Sequence, residues 1–167
     1  MALSDEARDR LADLVELQPT KNAELQERWG LDSGSAVHHY LEDELGDYYY
    51  RDDNSLIRAT DEASELVDVK PGVEENSGGE VVVRVPELER EVLGVLPEPA
   101  DRSISVVATL ERLREERDLD VAVDDVREAL QTLRRKGVVT VEHRIVPTYR
   151  LATDRGAILV ERPASEA

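Results

Sequence analysis

The sequence holds no cysteine and no phenylalanine, and only one methionine, one tryptophan and three lysines (Lys21, Lys70, Lys136) in 167 residues. Without cysteine there is no disulfide framework, no thiol nucleophile and no thiolate metal site. No apolar run approaches the roughly 20 residues of a membrane-spanning helix. The opening Met-Ala-Leu-Ser-Asp-Glu lacks the basic and apolar regions of a secretory signal. These absences predict a soluble, cytoplasmic chain with no membrane contact. Aromatic residues make up only 4 %, so aliphatic side chains must build the core.

Positive charge is also scarce. There are 21 basic residues, 18 of them arginine, against 38 acidic ones, a formal net charge of −17. Acid-rich, lysine-poor composition is that of proteins from salt-accumulating microbes. Their carboxylates keep the surface hydrated, and concentrated salt screens the mutual repulsion within a few ångströms. Most of the acidity therefore reads as adaptation to solvent.

The chain divides into two halves of similar plan. Residues 70–80, with three glycines, a proline and no apolar periodicity, read as a flexible linker between a first unit over 1–69 and a second over 81–162, with a tail at 163–167. In the first unit Ser4 is the expected cap of a helix carrying Ala7, Leu11, Leu14 and Val15 on one stripe. Asn22 is expected to cap a second helix that Gly30 ends, and Ser33 or Ser35 a third with Val37, Tyr40, Leu41 and Leu45 inward. Tyr48-Tyr49-Tyr50 and Leu56-Ile57-Arg58 flank a polar turn, which predicts a hairpin, and Thr60 is the expected cap of a last helix.

The second half repeats this order. Val81–Val85 reads as a strand leading to Pro86 at the first position of a helix. Ser103 or Ser105 is expected to cap the next helix and Asp124 a third, with Val126, Ala129, Leu130 and Leu133 inward and Gly137 at its end. A hairpin follows, and Thr153 is expected to cap a helix over 157–160. Ala59-Thr60-Asp61 with Leu66-Val67 recurs as Ala152-Thr153-Asp154 with Leu159-Val160, five identities in nine positions at an offset of 93.

Three helices followed by a two-stranded hairpin is the plan of the winged helix-turn-helix. The run from Val126 to Val139 resembles that superfamily's third helix, glycine and wing, and Tyr40–Gly46 resembles a second instance. The whole chain also resembles an uncharacterised tandem winged-helix family of haloarchaea. The resemblance implies an α+β, mainly helical fold of two winged helix-turn-helix units in tandem. It leaves the ligand open, because winged helices bind DNA, RNA and proteins alike.

Catalytic chemistry has little to stand on. The sequence has no glycine-rich phosphate loop, no G-x-S-x-G and no histidine pair four residues apart, so no catalytic residue, metal site or cofactor is expected. His38 and His39 are adjacent on a helix and diverge by about 100°. His38 with Glu42, and His39 with Asp43, read more simply as charge-linked helix neighbours than as metal ligands.

The charge distribution carries more information. Residues 1–75 hold 7 basic and 20 acidic side chains, whereas residues 126–162 hold 8 and 4. The corresponding stretch of the first unit, 33–67, holds 2 and 9. One basic island therefore survives in an acidic chain, on the second unit's third helix and wing. In a DNA-reading helix-turn-helix the corresponding helix enters the major groove. With Val126, Leu130 and Leu133 inward, Arg127, Gln131 and Arg135 are expected to face outward, and arginine and glutamine contact guanine and adenine edges bidentately. Arg134, Lys136, Arg144 and Arg150 are candidates for phosphate contact and Thr132 for a hydroxyl or methyl contact. The bland alternative is an ordinary exposed face, with arginine as this chain's default cation.

The leading expectation is therefore a DNA-binding regulatory protein acting on duplex DNA through the second unit. The rival is a protein-interaction adaptor or homodimer. The acidic third helix of the first unit favours it, as do Tyr48 and Tyr50 in the tyrosine run and the apolar wing tip Ile145-Val146. RNA or ribosome association would use the same basic island.

Overall fold

A computed structural model describes residues 3–67 and 69–163. The chain is an α+β protein, mainly helical, that divides into two compact units, Met1–Gly72 and Val73–Ala167. Of the expected C-terminal tail, residues 164–167 lie outside the described residues. No helix among the described residues is long and apolar enough to cross a membrane.

The first unit contains helices α1 (Asp5–Leu17), α2 (Asn22–Trp29) and α3 (Gly34–Glu44), a hairpin of β1 (Tyr49–Arg51) and β2 (Ile57–Ala59), and helix α4 (Asp61–Leu66). Local chemistry sets these boundaries. Ser4, Ser33 and Thr60 each accept a hydrogen bond from the backbone N–H three residues on, at 3.1, 3.0 and 3.2 Å. Gly30 stops α2 in the left-handed conformation, φ +65°. Asn22 is not a cap: the N-cap is Lys21, and the Asn22 amide instead donates to the Gly34 carbonyl while accepting from Arg51. The core holds Leu11, Leu14, Leu25, Val37, Leu41 and Ile57, with Trp29, Tyr40, Tyr48 and Tyr49 packed at its margin. Trp29 is half-buried. Its Nε1 donates to Asp13 at 3.0 Å, and the Arg10 guanidinium lies over its ring and that of Tyr40.

The second unit contains β3 (Val73–Glu75), β4 (Val81–Arg84), α5 (Glu87–Val95), β5 (Ile104–Ser105), α6 (Val106–Arg117) and α7 (Val123–Arg135). The hairpin of β6 (Val139–Glu142) and β7 (Thr148–Leu151) follows, then a 3-10 turn and β8 (Ile158–Glu161). Segment 70–80 is less of a linker than its composition implies. Val73–Glu75 pairs antiparallel with Val81–Val83, and the Asn76 side chain accepts from the N–H groups of Gly78 and Glu80 to close the turn. Glycine and proline content marks a turn as readily as a linker.

Three further expectations change. Pro86 is the N-cap of α5 rather than its first residue, and Ala122 rather than Asp124 caps α7. The helix expected over 157–160 is a strand, β8, parallel to β4 in the register Val81↔Ile158 to Arg84↔Glu161. Ile158, Leu159 and Val160 favour a strand once a free strand edge exists to accept them. Buried Arg84 ties the three-stranded sheet together, facing Glu74 on β3 at 3.3 Å and Glu161 on β8 at 2.9 Å.

The shared plan of the units lies in their middle. The second unit runs α5, β5, α6, α7, β6, β7, with sheet order β5-β7-β6. In the first unit Thr20 bridges antiparallel to Ile57, so a short extended segment after α1 lies beside β2 just as β5 lies beside β7.

Candidate nucleic-acid interface

Helix α7 buries Val126, Ala129, Leu130 and Leu133 against the second unit's core. Its C-terminus closes where Gly137, at φ +82°, donates to the Arg134 carbonyl and Val138 to that of Leu133, at 3.0 and 3.2 Å. That closure launches β6. In the hairpin Val139 opposes Leu151 and Val141 opposes Tyr149, apolar side inward, while Thr140 opposes Arg150 on the outer side. Helix and hairpin are joined by Gln131 Nε2, which donates to the Tyr149 hydroxyl at 3.0 Å.

The outward stripe differs from the expected one. Arg127 is exposed, Gln131 is half-buried and committed to Tyr149, and Arg135 is half-buried with its guanidinium donating to Thr132 Oγ1 at 3.1 Å. Thr132 and Lys136 are buried, so neither reaches a ligand. The reason is helical geometry. Each four-residue step advances a side chain by about 40°, which carries the stripe toward the flank where Thr132 and Lys136 are buried. Arg134, seven residues after Arg127, returns to within about 20° of it and is exposed.

The available cations are therefore Arg127 and Arg134 on α7, Arg144 in the β6–β7 turn and half-buried Arg150 on β7. Each already has a partner. Arg127 faces Asp124 at 2.5 Å, Arg134 reaches His143 Nε2 at 3.5 Å, and Arg144 and Arg150 share Glu142 at 2.9 and 3.2 Å. The Arg134–His143 contact brings the end of α7 and the β6–β7 hairpin onto one face. Beyond it the hairpin turn is bare: Ile145 is fully exposed and Val146 is 60 % exposed.

The equivalent face of the first unit is of opposite sign. His38, His39, Glu42, Asp43 and Glu44 are all exposed on α3. The Tyr49 hydroxyl donates to Glu42. Burial, and then the neighbouring Glu42 carboxylate, push the Tyr49 pKa up to about 12, which keeps it a neutral donor. Tyr48 is half-buried, whereas Tyr50 is 49 % exposed. Among the described residues no group of three or more histidine or acidic side chains is arranged to hold a metal ion.

Asp52 reads from sequence as one more acidic residue of that hairpin turn, but it is turned inward as the turn's organiser. Its carboxylate accepts from the N–H groups of Asn54 and Leu56 at 2.9 and 3.0 Å and from Arg58 Nε at 2.7 Å. Burial alone would raise its pKa. The Arg58 guanidinium and the two backbone donors outweigh burial and hold the carboxyl below the ordinary aspartate range. Asp52→Ala is expected to cost about 1–3 kcal/mol, read by urea denaturation at neutral pH, because three donors lose their acceptor. A group with a depressed folded pKa stabilises above its unfolded value and loses that contribution as pH falls through the folded one. The gap between wild type and Asp52→Ala must therefore narrow below about pH 4.

Residues 3–163 match a family of unknown function, DUF5797. No curated protein and no solved structure matches the chain.

Proposed function

We propose that this chain, which belongs to the DUF5797 family of unknown function, is a tandem winged-helix protein whose second unit contacts duplex DNA in a regulatory role. The winged-helix reading is supported by the strand order β5-β7-β6 around helices α5, α6 and α7, and by the corresponding antiparallel Thr20–Ile57 bridge of the first unit. The observation that carries the DNA reading is one of charge. In a chain of −17, residues 126–162 carry 8 basic and 4 acidic side chains, and the exposed cations Arg127, Arg134 and Arg144 belong to α7 and the wing that follows it.

The internal ion pairs do not oppose this reading. Exposed pairs such as Arg127–Asp124 are worth about 0–1 kcal/mol, so a phosphate replaces the carboxylate at little cost. Nor does the net charge. At about 0.1 M ionic strength, charges beyond roughly 10 Å are screened, and the local sign decides. Four cations are expected to give a slope of log K against log salt no steeper than about −3.6, as each phosphate contact contributes about −0.9. The test is fluorescence anisotropy of the full chain with a labelled duplex across a KCl series. A negative slope with duplex preferred over an RNA hairpin supports the reading. No binding at 50 mM KCl, or preference for the RNA, overturns it.

A second reading, a protein-interaction adaptor, is favoured by one specific observation: Ile145 and Val146 stand bare at the wing tip. Two adjacent exposed apolar side chains offer a partner protein surface to bury. Co-purification of a partner protein that resists nuclease and is lost with Ile145→Asp supports this reading over the first.

A further inference from the structure

Strand β8 is one edge of the second unit's three-stranded sheet, in the order β3-β4-β8. Edge strands are normally kept from pairing by charge, proline or brevity. The opposite edge follows that rule, since β3 is three residues long and two of them are Glu74 and Glu75. β8 does not. It runs Ile158-Leu159-Val160-Glu161, with its one charge at the end. Leu159 is 40 % and Val160 39 % exposed, although alternation sends them to opposite faces of the sheet.

The backbone is open along the same edge. The Val85 N–H donates to the Glu161 carbonyl at 3.1 Å, so the peptide groups of Glu161 point toward β4. By alternation those of Leu159 do too, while the N–H and C=O of Val160 and the C=O of Ile158 point away. The Ile158 N–H donates to the Arg155 carbonyl. Among the described residues no strand lies on the outer side of β8.

A second copy of the strand fits this edge. Antiparallel pairing about a two-fold axis at Leu159 sets that residue opposite itself, at a position without hydrogen bonds where side chains come closest. Val160 then lies opposite Ile158 of the second copy, and its N–H reaches that residue's carbonyl. Glu161 falls opposite Ala157, so no like charges meet. Other registers are worse. An axis at Ile158 needs the N–H already given to Arg155, one at Val160 sets Leu159 against Glu161, and one at Glu161 opposes two carboxylates. Net charge of −17 opposes self-association, but residues 155–162 hold Arg155, Arg162 and Glu161, a segment without negative balance. Salt screens the repulsion between the rest. We propose that two copies of this chain pair through β8, joining their sheets into one of six strands. So short an edge makes a weak dimer, strengthened by salt. The proposal is independent of the nucleic-acid reading.

Sedimentation velocity of the full chain from 10 to 500 µM, in 0.1 and 2 M KCl, tests this. A monomer–dimer equilibrium is expected, with a dissociation constant at least threefold lower at 2 M. Hydrogen exchange at the Val160 amide is expected to slow as the dimer fills. Leu159→Lys and Leu159→Glu alter a side chain already 40 % exposed. Each is expected to weaken the dimer at least tenfold, with circular dichroism verifying the fold. An equimolar mixture of the two in 0.5 M KCl is expected to recover it, because pairing position 159 with itself sets lysine against glutamate. A monomer under all conditions overturns the proposal and leaves β8 to a strand of a different protein. So does a dimer that leaves the Val160 amide unprotected, or one that survives in both folded variants. A dimer lost with Ile145→Asp instead lies at the β6–β7 turn and overturns it equally.

Discussion

Arg127→Ala combined with Arg134→Ala is expected to lower the affinity of the full chain for duplex DNA at least tenfold at 50 mM KCl and to make the salt slope shallower by about 1.8. Both side chains are exposed on the same face of α7, seven residues apart, and neither is needed for the core. Arg127 gives up only its exposed pair with Asp124, and Arg134 only its contact with His143, so stability is expected to stay within about 0.5 kcal/mol of wild type. Arg8→Ala with Arg51→Ala is the matched control, because it removes two exposed arginines from the first unit and changes the net charge equally. If both pairs weaken binding alike, the interaction follows net charge rather than a face, and the α7 interface is wrong. Lys136→Ala and Thr132→Ala are uninformative here, since both residues are buried and their loss would act through folding.

Leu130→Ala is expected to destabilise the second unit by about 2–5 kcal/mol and lower its melting temperature by roughly 10–25 °C. Leu130 is fully buried in the middle of α7, within a cluster that includes Val92 and Leu96 near α5, Leu110 and Leu113 on α6, and Leu133. Truncation removes three heavy atoms from a close-packed interior that relaxes only partly, so a cavity term adds to the lost transfer energy. Val107, on α6 and 56 % exposed, supplies the contrast: Val107→Ala is expected to change stability by about 0.5 kcal/mol or less. Native-state hydrogen exchange locates the effect. Protection is expected to fall across α5, α6 and α7, while the first unit, with its own core around Leu11, Leu14 and Leu41, keeps its protection. Equal loss in both units would mean that the two cores unfold as one.

The same pairing of local signal and distant context explains which expectations held. Ser4, Ser33, Thr60 and Ser105 cap helices as expected, and Gly30 and Gly137 end them or follow their ends in the left-handed conformation, because a cap involves only neighbours three or four residues away. The apolar stripe of α7 was legible for the same reason. Asp124 failed as a cap although it is the right residue type, since the helix begins at Val123, two residues earlier than a cap at 124 requires. Asp52 shows a different gap. Its identity announced a turn, but nothing in the sequence distinguished a solvated acid from one accepting three hydrogen bonds.

By itself the sequence determined the α+β character, the order of the helices, the faces they bury, and the confinement of positive balance to residues 126–162. These follow from periodicity, capping and composition, which act over a few residues or need only counting. Tertiary structure alone decided which polar residues of α7 stay in solvent, because the buried flank that takes in Thr132 and Lys136 is set by packing around the helix. It also decided that Ile158–Glu161 is a strand and not a helix, through a parallel partner 77 residues earlier in the chain. Contacts between residues so far apart cost loop-closure entropy that only the whole packed core repays, so no local stretch of sequence encodes them.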